Sequence, residues 1–122
     1  MYVRIIRVGQ KGNNSVSEHG LRPTVVEALI EKEVKVKRVF CGDCHIAVQC
    51  TDASWYAWGH DSHKQISGMC QCGACPVRST KLRAILKPHW IRLRCGIRDE
   101  DVVDMVLGYK RSMIVVYSGA LR

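Results

Sequence analysis

Eight side chains able to ligate a metal, Cys41, Cys44, Cys50, His60, His63, Cys70, Cys72 and Cys75, fall between residues 41 and 75. No other stretch constrains the fold as much. Thiolates and imidazoles at this density suit tetrahedral Zn2+, which takes four sulfur or nitrogen ligands and has no redox chemistry of its own. Eight candidates allow one ion or two. Cys41-Gly42-Asp43-Cys44 and Cys72-Gly73-Ala74-Cys75 are two-residue knuckles whose small or turn-forming residues let both sulfurs reach one ion. The expected first site is therefore Cys41, Cys44, Cys72 and Cys75, a zinc-ribbon arrangement with 27 residues between the pairs. Cys70-Gln71-Cys72 could equally supply the second pair, releasing Cys75 to another ion. A nested second site draws on Cys50, His60, His63 and Cys70, with His45 as an alternative ligand, while Cys95 reads as core. Both sets are closed to water, which points to structural zinc and away from hydrolytic metal chemistry.

The surrounding sequence favours ligands over disulfides. The start, Met1-Tyr2-Val3-Arg4-Ile5-Ile6-Arg7, is charged within four residues and lacks the apolar segment of a signal peptide. Seven cysteines are an odd number, so disulfides would leave one thiol over. No apolar run approaches the roughly 18 residues of a membrane span. The expected protein is intracellular, cytoplasmic or nuclear, not secreted and not on a membrane. Its 122 residues suit one zinc-braced domain, 1–122, with no internal repeat or linker apparent.

The expected fold class is α+β, a small zinc-ribbon-like domain with short β-hairpins and two helices. Residues 2–8 suggest a strand and residues 10–15 a loop. Thr24-Val25-Val26-Glu27 fits a capping box ahead of a helix that buries Val25, Val26, Leu29 and Ile30. Alternation over 34–40 predicts a strand with a basic wet face. Residues 47–51 and 55–58 predict strands joined by Thr51-Asp52-Ala53-Ser54. Residues 81–86 and 90–95 read as arms of a hairpin about Lys87-Pro88-His89. A second helix is expected over 99–107, with acids in its first turn and Gly108 at its end. Residues 113–117 predict a strand that pairs with the N-terminal strand or with a second copy of the chain.

Charge sets the expected partner. The formal net charge is +8, and the 37 residues between Asp61 and Asp99 hold no acid. A basic hairpin, 78–98, would adjoin the metal cluster 41–75. Lys35, Lys37, Arg38, Arg78, Lys81, Arg83, Lys87, Arg92, Arg94 and Arg98 would meet phosphates, while Trp58 and Trp90 could stack on bases. RNA is the expected partner, single- or double-stranded, with weak sequence preference. A homo-oligomer is allowed, and no small-molecule substrate is expected. No Ser/His/Asp set, phosphate-cradling glycine loop or paired-carboxylate pattern stands out, so the expectation is not an enzyme.

Two resemblances bear on function. Val39-Phe40-Cys41-Gly42-Asp43-Cys44-His45, then His60, His63 and Gly68-Met69-Cys70-Gln71-Cys72-Gly73, resembles the C-terminal zinc segment of the DYW-class RNA-editing cytidine deaminases. That resemblance implies deaminase chemistry, which also needs a His-x-Glu element; this chain offers only Val16-Ser17-Glu18. In size, charge and its Cys/His cluster the whole chain is similar to the small cysteine-rich zinc-finger proteins of plus-strand RNA plant viruses. This resemblance implies a zinc-binding, RNA-binding protein that suppresses host RNA silencing. The rival reading is a zinc-ribbon protein-interaction module of a larger assembly.

Overall fold

The computed structural model describes residues 2–3, 24–79 and 83–117. Its elements are β1 (Tyr2–Val3), β2 (Thr24–Val25), α1 (Glu27–Glu31), β3 (Val36–Cys41), β4 (His45–Cys50), β5 (Trp55–His60), β6 (Val77–Ser79), β7 (Arg83–Ile91), β8 (Val102–Leu107) and β9 (Ser112–Val116). One antiparallel sheet runs in the order β3-β4-β5-β7-β6, flanked by the two-stranded sheets β1-β2 and β8-β9. The chain is mostly β, so the expected α+β fold with two helices is overturned.

The main sheet follows from alternation. In β3, Val36, Arg38 and Phe40 turn inward while Lys37, Val39 and Cys41 face out. The turn into β5 is held by Asp52, whose carboxylate accepts from the Ser54 N–H (3.0 Å) and hydroxyl (2.6 Å). All six residues of β4 are buried, so both faces of that strand are covered. Trp55 and Trp58, 1% and 0% exposed, fill the core with Val48, Ile66, Ile85 and Ile91. Burial of this much apolar surface is the main force holding the sheet together.

Three local expectations fail for physical reasons. α1 begins at Glu27 behind Val26, with no side-chain cap, because Thr24 and Val25 are committed to β2. Val26 and Leu29 are buried, but Ile30 is exposed. Residues 99–107 form a single 3-10 turn, Asp99–Asp101, and then β8. A bulge between Val102 and Asp104 shifts the strand's phase, so its buried residues, Val102 and Met105, lie three apart and imitate a helical stripe. Residues 83–91 form one strand, not two hairpin arms. Pro88 is buried where β7 carries extra residues against β5, between the pairs Ala57↔His89 and Gly59↔Ile85. A bulge tolerates a residue that lacks an N–H. Beyond Ile91 the backbone turns at Cys95 and Gly96, both at positive φ, leaving Cys95 exposed instead of in the core.

The described strands also contain a repeat that the sequence does not advertise. The β3-β4 pairs Val36↔Cys50, Arg38↔Gln49, Val39↔Val48, Phe40↔Ala47 and Cys41↔Ile46 recur 66 positions later, from Val102↔Val116 to Leu107↔Ser112, including the bulge. Gly42 N–H donates to the His45 carbonyl and Gly108 N–H to the Arg111 carbonyl, both at 2.9 Å. Thr24–Val25 of β2 precede Trp90–Ile91 of β7 by the same 66 positions, whereas their partners Tyr2–Val3 precede Trp55–Tyr56 by 53. The β5–β7 connection is therefore 13 residues longer than the β1–β2 connection. The longer connection contains β6 and the last three cysteines of the cluster. Among the described residues the C-terminal strand β9 pairs with β8 and not with β1, and residues 4–8 of the expected N-terminal strand lie outside the described residues.

Candidate metal centre

The long β5–β7 connection leaves β5 at His60 and is shaped first by Asp61. The buried Asp61 carboxylate accepts from the Ile66 (2.9 Å) and Ser67 (2.8 Å) N–H groups, turning the chain back on itself. The chain then runs antiparallel to the residues after β7. Gln71 N–H donates to the Arg92 carbonyl (2.8 Å) and Arg94 N–H to the Met69 carbonyl (3.2 Å), about the bridge Cys70↔Leu93. Six residues on, β6 pairs with the opposite end of β7, at Val77↔Ile85. The segment between these two anchors spans the bulged part of β7 and delivers its thiols to His89.

Cys70, Cys72, Cys75 and His89 converge there, their ligand atoms all within 4.8 Å of one another. Cys72 Sγ lies 3.3 Å from Cys75 Sγ and 3.5 Å from His89 Nε2, and Cys70 Sγ lies 4.0 Å from His89 Nε2. Tetrahedral Zn2+ with ordinary bond lengths separates two sulfurs by about 3.8 Å and sulfur from nitrogen by about 3.6 Å. The donor set and its spacing therefore fit one metal ion. Burial pushes the Cys72 thiol up, but hydrogen bonds from the Ala74 N–H and from His89, Cys70 and Cys75 outweigh it and bring the group to about 6. Cys75 is pushed up, first by burial and then by its hydrogen bond with Cys72 and the charge on its neighbours. One thiolate is thus ready near neutral pH, and metal binding would displace the remaining protons.

The expected ligand sets are only partly assembled. Cys72, Cys75 and the alternative Cys70 come together, but Cys41 and Cys44 are not among the ligand atoms gathered there. Those two flank the β3-β4 turn, and the repeat of that turn at Leu107–Arg111 carries no cysteine, so Gly42 and its neighbours serve as a hairpin connection. Cys50 is buried at the end of β4, and burial raises its thiol. His60 bonds Ser62 (2.6 Å) with its ring edge-on to His63, and neither joins Cys70. His89 was missed because Lys87-Pro88-His89 reads as a turn; an unbroken strand through Pro88 would have placed it beside the thiols.

His45 is no ligand in this group. It is fully buried, and its Nε2 lies 2.8 Å from the Ser112 hydroxyl. That hydroxyl donates to the Gln65 carbonyl (2.6 Å), so it accepts from His45 Nε2–H, and the imidazole is neutral with Nδ1 unprotonated. Desolvation lowers the His45 pKa to about 4.

The basic residues separate into two groups. Arg38 points inward, donating to Gln49 Oε1 (3.0 and 3.1 Å) and to the Val103 carbonyl (2.9 Å), so it ties β8 to the main sheet. Arg98 is held by Asp101 (2.9 and 3.1 Å) and lies 3.7 Å from Glu100. Trp58 is fully buried and offers no face to a base. Lys81 lies outside the described residues. Lys35, Lys37, Arg78, Arg83, Lys87, Arg92 and Arg94 remain exposed. Trp90 is 52% exposed, with the Arg92 guanidinium 5.9 Å over its ring.

No family model matches the chain, and no curated protein does. Solved structures do. Yeast RCC1 (Prp20), from the crystal structure with Kap60, aligns at a TM-score of 0.66 and 16% identity, over 92% of this chain and 24% of that one. Human WBSCR16 aligns at 0.60 and 20% identity, over 96% of this chain and 27% of that one. The likeness is one of fold. It is that of RCC1-like β-propeller blades, which replaces the zinc-ribbon expectation. Propeller blades are four-stranded antiparallel sheets set around a central channel. β3-β4-β5-β7 make one blade, β8-β9 match the first two strands of a following one, and β1-β2 match the last two of a preceding one. The chain spans about a quarter of the length of these neighbours, and β6, which follows the cysteine segment, pairs with β7 at the edge of the main sheet. Among the described residues no helix is long and apolar enough to cross a membrane.

Proposed function

We propose that the chain is a zinc-braced propeller segment that binds RNA on the basic surface beside its metal. The observation that carries this reading is the convergence of three thiols from an inserted loop and one imidazole from a blade strand. Four protein ligands close the coordination shell, so zinc here fixes the loop to β7 and does no chemistry. The braced loop and the strand it is fixed to carry Arg83, Lys87, Trp90, Arg92 and Arg94. Affinity would then come from phosphate neutralisation, with stacking on Trp90, and would fall steeply with salt. Suppression of RNA silencing, implied by the viral resemblance, would be a consequence of RNA capture and is read by a reporter assay.

The test begins with metal content by native mass spectrometry. One zinc per chain is expected, lost in Cys72→Ser and His89→Ala and retained in Cys41→Ser. Removal by a chelator should expose residues 61–79 to hydrogen exchange while the β3-β4 hairpin stays protected. RNA affinity that is unchanged in an Arg92→Ala/Trp90→Ala variant, or flat between low and moderate salt, contradicts the RNA half of the proposal. A protein-interaction module is the second reading, favoured by the exposed apolar residues Met113, Val115 and Tyr117 on β9 and just after it.

A further inference from the structure

We infer that the cleft beside the cysteine cluster is a binding site for a phosphate monoester group. The cleft has a volume of about 280 Å³ and is lined by Lys64, Ser67, Arg83 and Arg94, together with Cys70, Cys75 and small residues of the inserted loop. Three cations and a hydroxyl face one space, and no acid lines it. Among the described residues the ion pairs are those of Arg98 with Glu100 and Asp101, so none engages Lys64, Arg83 or Arg94. Asp61, the acid nearest in sequence, is buried behind Ser67 with one oxygen committed to the Ile66 and Ser67 N–H groups. Three thiolates on a divalent ion would leave a single net negative charge at the cluster, well short of cancelling the three cations.

Backbone conformation adds a second, independent observation. Lys64 sits at φ 57°, a region that a lysine adopts only at a cost. It is held there by its own N–H donating to the Asp61 carbonyl (3.0 Å) and by Gly68 N–H donating to the Lys64 carbonyl (2.8 Å). A Cβ on Gly68 would run into that carbonyl, so glycine at 68 permits the turn. Nothing in the core requires the lysine, which is exposed. The strained turn sets Lys64 in the lining of the same cleft as Arg83 and Arg94. A phosphate monoester, carrying nearly two negative charges at neutral pH and three acceptor oxygens, matches two guanidinium forks and an ammonium better than a carboxylate does. The cleft is below the usual size of a cofactor pocket, which suits a terminal phosphate and not a whole nucleotide. A free small phosphate and the 5′-phosphate of an RNA strand are the two sources of this chemistry.

The test uses the full zinc-loaded chain. Thermal shift with inorganic phosphate is compared with sodium chloride at matched ionic strength. In parallel, a short RNA is titrated with either a 5′-phosphate or a 5′-hydroxyl. Stabilisation by phosphate and at least tenfold tighter binding of the 5′-phosphorylated strand are expected. Lys64→Gly and Arg94→Ala should each abolish both effects, and Arg111→Ala, which is not part of the cleft lining, should leave them intact. Lys64→Gly relieves the backbone strain, so its melting temperature without phosphate should hold or rise, which separates loss of the ligand from loss of the fold. Stabilisation by phosphate without RNA binding would keep the site and remove the RNA reading. RNA binding indifferent to its 5′ end, with no phosphate stabilisation, would overturn the site and leave the RNA reading standing.

Discussion

The hairpins β3-β4 and β8-β9 share one register, one bulge and one turn bond, yet the first is part of a five-stranded sheet and the second, among the described residues, is a two-stranded sheet. β4 is buried along its whole length, with β3 and β5 paired to its two edges and its His45 ring bonded to Ser112 of β9. β9, among the described residues, pairs only with β8. Its outward residues Met113 and Val115 are 58% and 38% exposed, and Val106 of β8 is 52% exposed. Side chains have diverged accordingly. Ala47, Gln49 and His45 occupy the positions of Met113, Val115 and Arg111. Backbone geometry is set by the pairing, and burial is set by what lies next door.

Equivalent substitutions should therefore separate the two hairpins. The largest difference is expected for Ala47→Lys against Met113→Lys. A lysine at Ala47, 1% exposed, buries an unpaired charge and should cost roughly 4 kcal/mol in denaturant unfolding. At Met113 the effect should stay within about 0.5 kcal/mol. Equal costs at the two positions would mean that β9 is covered in solution as β4 is.

Next in size is a pH effect carried by His45 and absent from Arg111. The folded pKa of His45, about 4, lies below the ordinary imidazole value of 6.5, so the unfolded chain binds the proton more readily. The stability held above pH 6.5 should be lost as pH falls through 6.5 to about 4, on the order of 3 kcal/mol in total. Unfolding free energies measured across this range should show a shallower slope in His45→Gln.

The smallest contrast concerns the turn glycines. A Cβ at Gly42 would meet His45 Cε1 and Leu107 Cβ at 2.9 Å and the Gly108 carbonyl at 3.0 Å. Gly42→Ala should cost about 1–3 kcal/mol. At Gly108 the nearest atom is Arg111 Cγ, on a flexible side chain at 3.3 Å, so Gly108→Ala should range from neutral to a gain of about 1 kcal/mol. Melting temperatures of the two variants test the ordering.

Local pairing was legible in the sequence; phase and distance were not. Alternation with an Asx turn marks β4 and β5, and the strand β3 starts two residues after its expected beginning. The β8 bulge disguised a strand as a helix, and Pro88 disguised one strand as two. The repeat stayed hidden because burial has changed its residues: Cys44 and His45 in one copy are Lys110 and Arg111 in the other. In the metal centre Cys70, Cys72 and Cys75 were readable from their spacing. His89 comes from a strand whose bulge no local pattern reveals, and Cys41 and Cys44 form a knuckle in sequence while serving as the flanks of a hairpin turn. The exposed cations were visible, but the inward turn of Arg38 and the pairing of Arg98 depend on tertiary neighbours.

The contact of Gly42 with Leu107 and Gly108 sets a hinge line between consecutive sheets. A hydrogen atom there lets the two turns meet. Replacing it with a methyl group would move the pivot as well as lower stability. In any ring assembled from such sheets, angular errors would add from one sheet to the next. The smallest side chain in the turn would then govern whether the circle closes.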